Sequence, residues 1–144
     1  MNRQRVLERY EVPLAVAAGG ALGALARWGL GVAAVSGAAA DDALVAGLLA
    51  TFAANITGSL TLGVVLVVAE LVGHRHAFVW TRLWRPFMAT GVLGGFTTFS
   101  TVELELLRLD SGPALAYLVA SVALGLLAFG AGNALARKGF GVRA

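Results

Sequence analysis

The stretch that decides the fold is ATGVLGGFTTFSTVELELL, residues 89–107. It is apolar enough for the interior of a membrane, yet its centre contains Gly94-Gly95 followed by Thr97-Thr98. Adjacent glycines and β-branched residues both disfavour a helix. The stretch therefore predicts a helix that breaks at Gly94-Gly95, where no water is available to bond the exposed backbone.

The composition of the whole chain indicates a membrane protein. Of its 144 residues, 58% are hydrophobic, and the mean hydropathy is +0.81, which is too apolar for a soluble domain of this size. The chain has no cysteine, which excludes disulfides and thiolate metal sites. It also lacks the basic stripe and aromatic ladder of a nucleic-acid-binding protein. We therefore expect the lipid bilayer as its surroundings and no nucleic acid as a partner.

Four apolar stretches are long enough to cross a bilayer, and proline opens the first, third and fourth. They cover residues 13–36, 43–72, 86–107 and 113–135. Because no soluble domain fits in the remainder, the sequence predicts an all-α membrane protein. Residues 1–144 would form a single domain of four transmembrane helices.

The distribution of basic residues predicts the orientation. With four spans, both termini and the loop of residues 73–85 lie on one side, and the loop before the fourth span carries only Arg108. The first side carries nine basic residues: Arg3, Arg5, Arg9, Arg75, Arg82, Arg85, Arg137, Lys138 and Arg143. The positive-inside rule therefore predicts a multi-pass protein of the cell (inner) membrane with both termini in the cytoplasm.

Polar residues inside the predicted spans are the candidates for function, because polarity is expensive in lipid. Asn55 lies near the middle of the second span with Thr51 one turn before it, and it can either bond a neighbouring helix or offer its NH2 group to an anion. Arg27 can snorkel to the nearer interface or provide a fixed positive charge. Tyr117 and Ser121 lie one turn apart on the fourth span, although a serine hydroxyl can also bond its own helix.

The break in the third span lies near the midplane, because the helix from Pro86 to Gly95 is about 15 Å long, half of a bilayer core. Carbonyls freed there suit a hard cation, and a second half-helix from Thr97 adds a positive dipole end. Phe99 can turn its electropositive ring edge to a small anion, or it can simply pack. Glu105 lies near the end of the span. The sequence contains no catalytic triad and no pair of carboxylates deep in a span, so nothing in it indicates an enzyme.

Four segments resemble the Fluc (CrcB) family of fluoride channels: GGALGALARW (19–28), TFAANITGSLTLG (51–63), GVLGGFTTFST (91–101) and YLVASVALG (117–125). The resemblance implies a four-helix subunit that forms an antiparallel, dual-topology-type dimer with two anion pathways. It also implies passive export of fluoride, which lowers the cytoplasmic concentration and toxicity of that ion. A structural sodium ion, which is not transported, would lie at the dimer centre.

The resemblance also implies the site residues. The sodium ligands would be the backbone carbonyls of Gly94 and Thr97. The anion pathway would be lined by Arg27, Thr51, Asn55, Thr98, Phe99, Glu105, Tyr117 and Ser121. One departure is that Val102 stands where the family carries a second pore phenylalanine, which puts conduction by one pathway in doubt.

Two alternatives to a channel remain open, namely a small proton-coupled four-helix multidrug exporter and a non-conducting assembly subunit. An exporter of that type needs a carboxylate deep in a span, and the glutamates here are expected near helix ends. The partner is also open. The strong basic bias predicts an antiparallel dimer with a second, oppositely biased homologue, and a homodimer is the alternative.

Overall fold

The computed structural model describes residues 3–75 and 79–141, and all regular structure in these residues is helical. In chain order the elements are α1 (Arg3–Ser36), a 3-10 turn (Ala40–Asp42), α2 (Ala43–Arg75), α3 (Val79–Arg85), a π-helical segment (Pro86–Leu93), α4 (Gly94–Phe96), α5 (Ser100–Leu106) and α6 (Ser111–Gly139). Three long helices thus surround a broken segment that is divided into shorter pieces.

Three helical stretches are long and apolar enough to cross a membrane: Tyr10–Ser36, Ala40–Leu71 and Ser111–Gly139. Their outer faces expose large apolar side chains such as Leu25 and Leu127, as expected for a surface in contact with lipid. The chain is therefore an all-helical membrane protein, as the sequence predicts. One detail differs, because Pro13 lies inside α1 instead of opening it.

The break lies after the two glycines. Gly94 has helical angles (φ −65°, ψ −35°), and extended backbone first appears at Thr97 (φ −78°, ψ 155°). The predicted break at Gly94-Gly95 is therefore misplaced, and the non-helical residues are Thr97, Thr98 and Phe99. The reason is packing: a side chain at Gly95 would clash with the carbonyl of Gly20 in α1. Glycine at this position permits a close crossing of two helices.

Glycine also allows close approach at other crossings. Gly19 and Gly23 of α1 lie against the backbone of the broken segment, and Gly63 of α2 lies against the backbone of α6. Gly58 of α2 leaves room for the methyl group of Thr97. Packing through small residues therefore occurs within this chain, and it brings the middle of α2 against the break.

Candidate functional site

The side chain of Asn55 holds the break. Its Nδ2 atom donates to the carbonyl of Thr98 at 2.9 Å, and its Oδ1 atom accepts from the N–H of Thr98 at 2.8 Å. Because one bond needs a donor and the other an acceptor, the pair also fixes the orientation of the amide. Of the two roles considered from the sequence, the structure shows the interhelical bond, and it is made to backbone.

The broken backbone removes the helical partners of several carbonyls. In an unbroken helix the N–H of Thr98 would bond the carbonyl of Gly94, but here it bonds Asn55. The N–H of Thr101 would likewise bond the carbonyl of Thr97, but it donates to the hydroxyl of Thr98 at 3.1 Å. The carbonyls of Gly94 and Thr97 are thus among those of residues 94–97 that lose their usual helical partners. These two carbonyls are also the ones predicted to bind sodium.

A cluster of hydroxyl groups begins the second half-helix, α5. The hydroxyl of Thr98 caps the N–H of Thr101 and lies 3.2 Å from that of Ser100 and 3.1 Å from that of Thr101. Arg27 approaches the carbonyl of Gly95 at 3.4 Å and the Thr101 hydroxyl at 3.5 Å, both long contacts. Sequence reasoning missed the part played by Ser100 and Thr101, although their spacing from Thr98 is that of a helix start.

Glu105 lies in a buried hydrogen-bonded triad. Its Oε1 accepts from Thr51 at 2.7 Å and its Oε2 accepts from the hydroxyl of Tyr117 at 2.7 Å. Glu105 and Thr51 are each 8% exposed, so Glu105 is buried although it lies near the end of the predicted span. The neighbouring Glu103 is exposed. Position along a span does not reveal this difference, because the partners of Glu105 come from α2 and α6.

A groove of ≈ 620 Å³ lies beside the break, between α2, the broken segment and α6. Its lining includes Asn55, Gly94, Thr97, Thr98, Phe99 and Ser121 among mostly apolar residues. The hydroxyl oxygen of Ser121 is buried and has no hydrogen-bond partner among the described residues. Phe99 is 61% exposed, whereas Val102 is only 2% exposed. The groove therefore combines an apolar wall with a few polar groups, of which the Ser121 hydroxyl is buried.

A second groove of ≈ 500 Å³ contains the remaining candidates Arg27, Thr51 and Glu105, together with Thr101. Tyr117 connects to this group through Glu105 and packs near the ring of Phe52, with ring centroids 6.3 Å apart. The predicted pathway residues thus form two clusters on either side of α5. The hydrogen bond between Thr98 and Thr101 joins the two clusters.

The chain is similar to known proteins along most of its length. The family model described as "CrcB-like protein, Camphor Resistance (CrcB)" matches residues 14–133. The chain is 41% identical over 131 residues to a Phenylobacterium zucineum protein named "Fluoride-specific ion channel FluC", which covers 88% of this chain and 96% of that one. A protein of the same name from Paracoccus denitrificans is 39% identical over 129 residues, with coverages of 86% and 93%. The chain therefore belongs to the CrcB family.

Proposed function

We propose that this chain is a subunit of a fluoride-specific ion channel that lets fluoride leave the cell passively. The observation that carries the proposal is the near full-length match to relatives with that name. The geometry supports it, because the groove at the break offers hydrogen-bond donors in an apolar setting. A cell interior that is electrically negative drives an anion outward without an energy source.

The pathway we propose uses the residues of both clusters. The hydroxyl of Ser121 has a free donor for a partly dehydrated anion, and the exposed ring of Phe99 can present its positive edge. The hydroxyls of Thr51 and Tyr117 are directed at Glu105. Arg27 contributes a positive charge to the second groove. Asn55 positions the break, and Thr98 couples the two clusters.

We further propose that the break holds a structural sodium ion. Sodium is a hard cation that prefers oxygen ligands, and the carbonyls of Gly94 and Thr97 have lost their helical partners to Asn55 and Thr98. Two carbonyls from one chain leave the ion incompletely coordinated, whereas an antiparallel second subunit would supply two more. Gly94 is exposed in the single chain, so its backbone is accessible to that subunit. When bound, the ion would contribute attraction between the two subunits.

The proposed subunit has four spans, of which residues 86–107 form the third, and both termini lie in the cytoplasm. Nine basic residues on that side against one on the other favour a single orientation. Arg143 is outside the described residues. A chain with one orientation needs an oppositely biased homologue to form an antiparallel dimer, and we propose that partner over a second copy of this chain. Val102, which stands where the family carries a second pore phenylalanine, supports this choice. In a heterodimer one of the two pathways can lose conduction while the other keeps it.

The buried Glu105 gives one specific observation in favour of the alternative exporter, which would need a buried carboxylate to carry protons. However, both of its oxygens already have hydroxyl partners, and the near full-length relatives carry the name of a channel. We therefore keep the channel as the proposed function.

Flux from liposomes tests the proposal. The purified protein, alone and co-expressed with an oppositely biased homologue, is expected to dissipate a fluoride gradient without a pH gradient and to leave a chloride gradient nearly intact. Equal fluoride and chloride flux would contradict the selectivity, and transport only under a pH gradient would favour the exporter. Reporter fusions to both termini test the orientation separately, and reporters found on both sides would favour the homodimer.

A further inference from the structure

A polar cluster unrelated to the helix break lies between α2 and α6 near their cytoplasmic ends. It surrounds a groove of ≈ 370 Å³, which we call the basic groove, lined by Leu66, Ala69, Glu70, Arg85, Asn133 and Arg137. Neither the anion pathway nor the sodium site uses these residues.

Arg137 is held in place at the rim of the basic groove. Its Nη2 atom donates to Oε2 of Glu70 at 3.0 Å, and its Nε atom donates to Oδ1 of Asn133 at 2.9 Å. A guanidinium group has five N–H donors, so three remain after these two bonds. The side chains of Arg137 and Glu70 are 29% and 48% exposed. Arg137 is therefore preorganised yet still accessible to a ligand.

Arg85 brings a second guanidinium group to the same groove. It ends α3, just before Pro86 begins the π-helical segment. Two guanidinium groups and the single carboxylate of Glu70 leave one net positive charge. The ligand that suits this rim is an anion with several oxygens, and arginine forks match phosphate best among biological anions.

The other lining residues indicate that the anion carries an apolar part. Leu66 lies one turn before Glu70 on α2, on the side away from the cytoplasmic end of that helix. The basic groove is thus cationic towards the proposed cytoplasmic surface and apolar towards the membrane interior. Basic pockets between transmembrane helices on this side are typical sites for anionic lipid headgroups.

We infer that the basic groove binds the phosphodiester of an anionic phospholipid, with Arg85 and Arg137 on the phosphate and Leu66 and Ala69 against the apolar part. Glu70 holds Arg137 in position and also lowers the positive charge of the groove. The inference rests on the proposed orientation of the chain and does not depend on fluoride conduction.

The test measures lipid binding to the full-length protein in a neutral detergent, with any partner subunit it needs. The probes are short-chain phosphatidylglycerol, short-chain phosphatidylcholine and inorganic phosphate, and the readouts are the thermal unfolding midpoint and lipid retention in native mass spectrometry. Phosphatidylglycerol is expected to raise the midpoint, whereas the other two are not. Arg85→Gln is expected to weaken phosphatidylglycerol binding roughly fivefold, the effect of losing one basic residue near an anionic surface.

Two further variants make the result decisive. Arg82→Gln removes an arginine from the same short helix, but Arg82 pairs with Glu11 and does not line the groove, so binding is expected to stay unchanged. Glu70→Gln is expected to strengthen binding, because the amide oxygen can still accept from Arg137 and hold it in place while the net positive charge of the groove rises. Equal loss of binding in Arg82→Gln and Arg85→Gln, or weaker binding in Glu70→Gln, would overturn the inference. Stabilisation by inorganic phosphate equal to that by phosphatidylglycerol would overturn the lipid as the ligand.

Discussion

Asn55 and Thr98 are joined by two hydrogen bonds, of 2.9 and 2.8 Å, between one side-chain amide and both backbone polar groups of one residue. The pair replaces two helical bonds at the point where the helix is interrupted. Broken backbone survives in a membrane protein only where other protein groups or a cavity satisfy it. The pairing therefore explains how the interruption is stable, and it also leaves the carbonyl of Gly94 available.

Asn55→Ala is expected to destabilise the fold, because both polar groups of Thr98 lose their partner. The expected cost is about 1–2 kcal/mol in the free energy of unfolding, measured in detergent, with loss of fluoride flux. Thr57→Ala on the same helix is the control, since the Thr57 hydroxyl bonds only its own helix and is exposed. Equal stability of the two variants would show that the amide does not hold the break.

Ser121→Ala is expected to separate flux from stability. The buried hydroxyl has no hydrogen-bond partner in the part of the chain that the structure describes, so its removal should leave the free energy of unfolding unchanged or slightly higher. Loss of one hydrogen bond to an anion, about 1.5 kcal/mol, predicts roughly tenfold slower fluoride flux. Thr61→Ala, an exposed hydroxyl on α2, should change neither quantity. A fall in stability with normal flux would assign Ser121 to packing.

Gly95→Ala and Gly94→Ala are expected to affect different properties, namely folding stability and dimer formation. A methyl group at Gly95 would meet the Gly20 carbonyl, so we expect a loss of about 1–3 kcal/mol in folding stability. A methyl group at Gly94 meets only the Ala89 carbonyl at 4.0 Å, so the single chain should fold. If Gly94 faces a second subunit, Gly94→Ala should instead weaken the dimer. Size-exclusion chromatography at graded protein concentration measures this, and an unaffected dimer would argue against Gly94 at the interface.

Glu105→Gln is expected to preserve the fold to within about 1 kcal/mol, because the amide has nearly the same shape and the hydroxyls of Thr51 and Tyr117 can donate or accept. Passive fluoride flux should persist without a pH gradient. Glu103→Gln, two residues away and exposed, is the control. Complete loss of transport in Glu105→Gln alone would support proton coupling through this carboxylate.

The sequence predicts the membrane class, the presence of a break and the neighbourhood of its key residues, but not the details that depend on tertiary contacts. Two adjacent glycines predict a weak helix, yet Gly95 is helical, and the lack of a side chain there allows α1 to cross closely. The burial of Glu105 depends on Thr51, which lies 54 residues away, and on Tyr117. The sequence predicts that Asn55 either bonds a neighbouring helix or binds an anion, and only the fold shows that its partner is Thr98.

The π-helical segment between Pro86 and Leu93 has a consequence for how such chains can vary in length. Its hydrogen bonds reach one residue further than those of an α-helix. A return from π to α geometry could therefore absorb much of the rotation that the deletion of one residue in this segment would cause. Deletion of one residue from a regular α-helix such as α2, before Asn55, has no such compensation and would turn Asn55 by about 100° away from Thr98. We therefore expect chains of this kind to tolerate a one-residue change in length in the segment better than in α2.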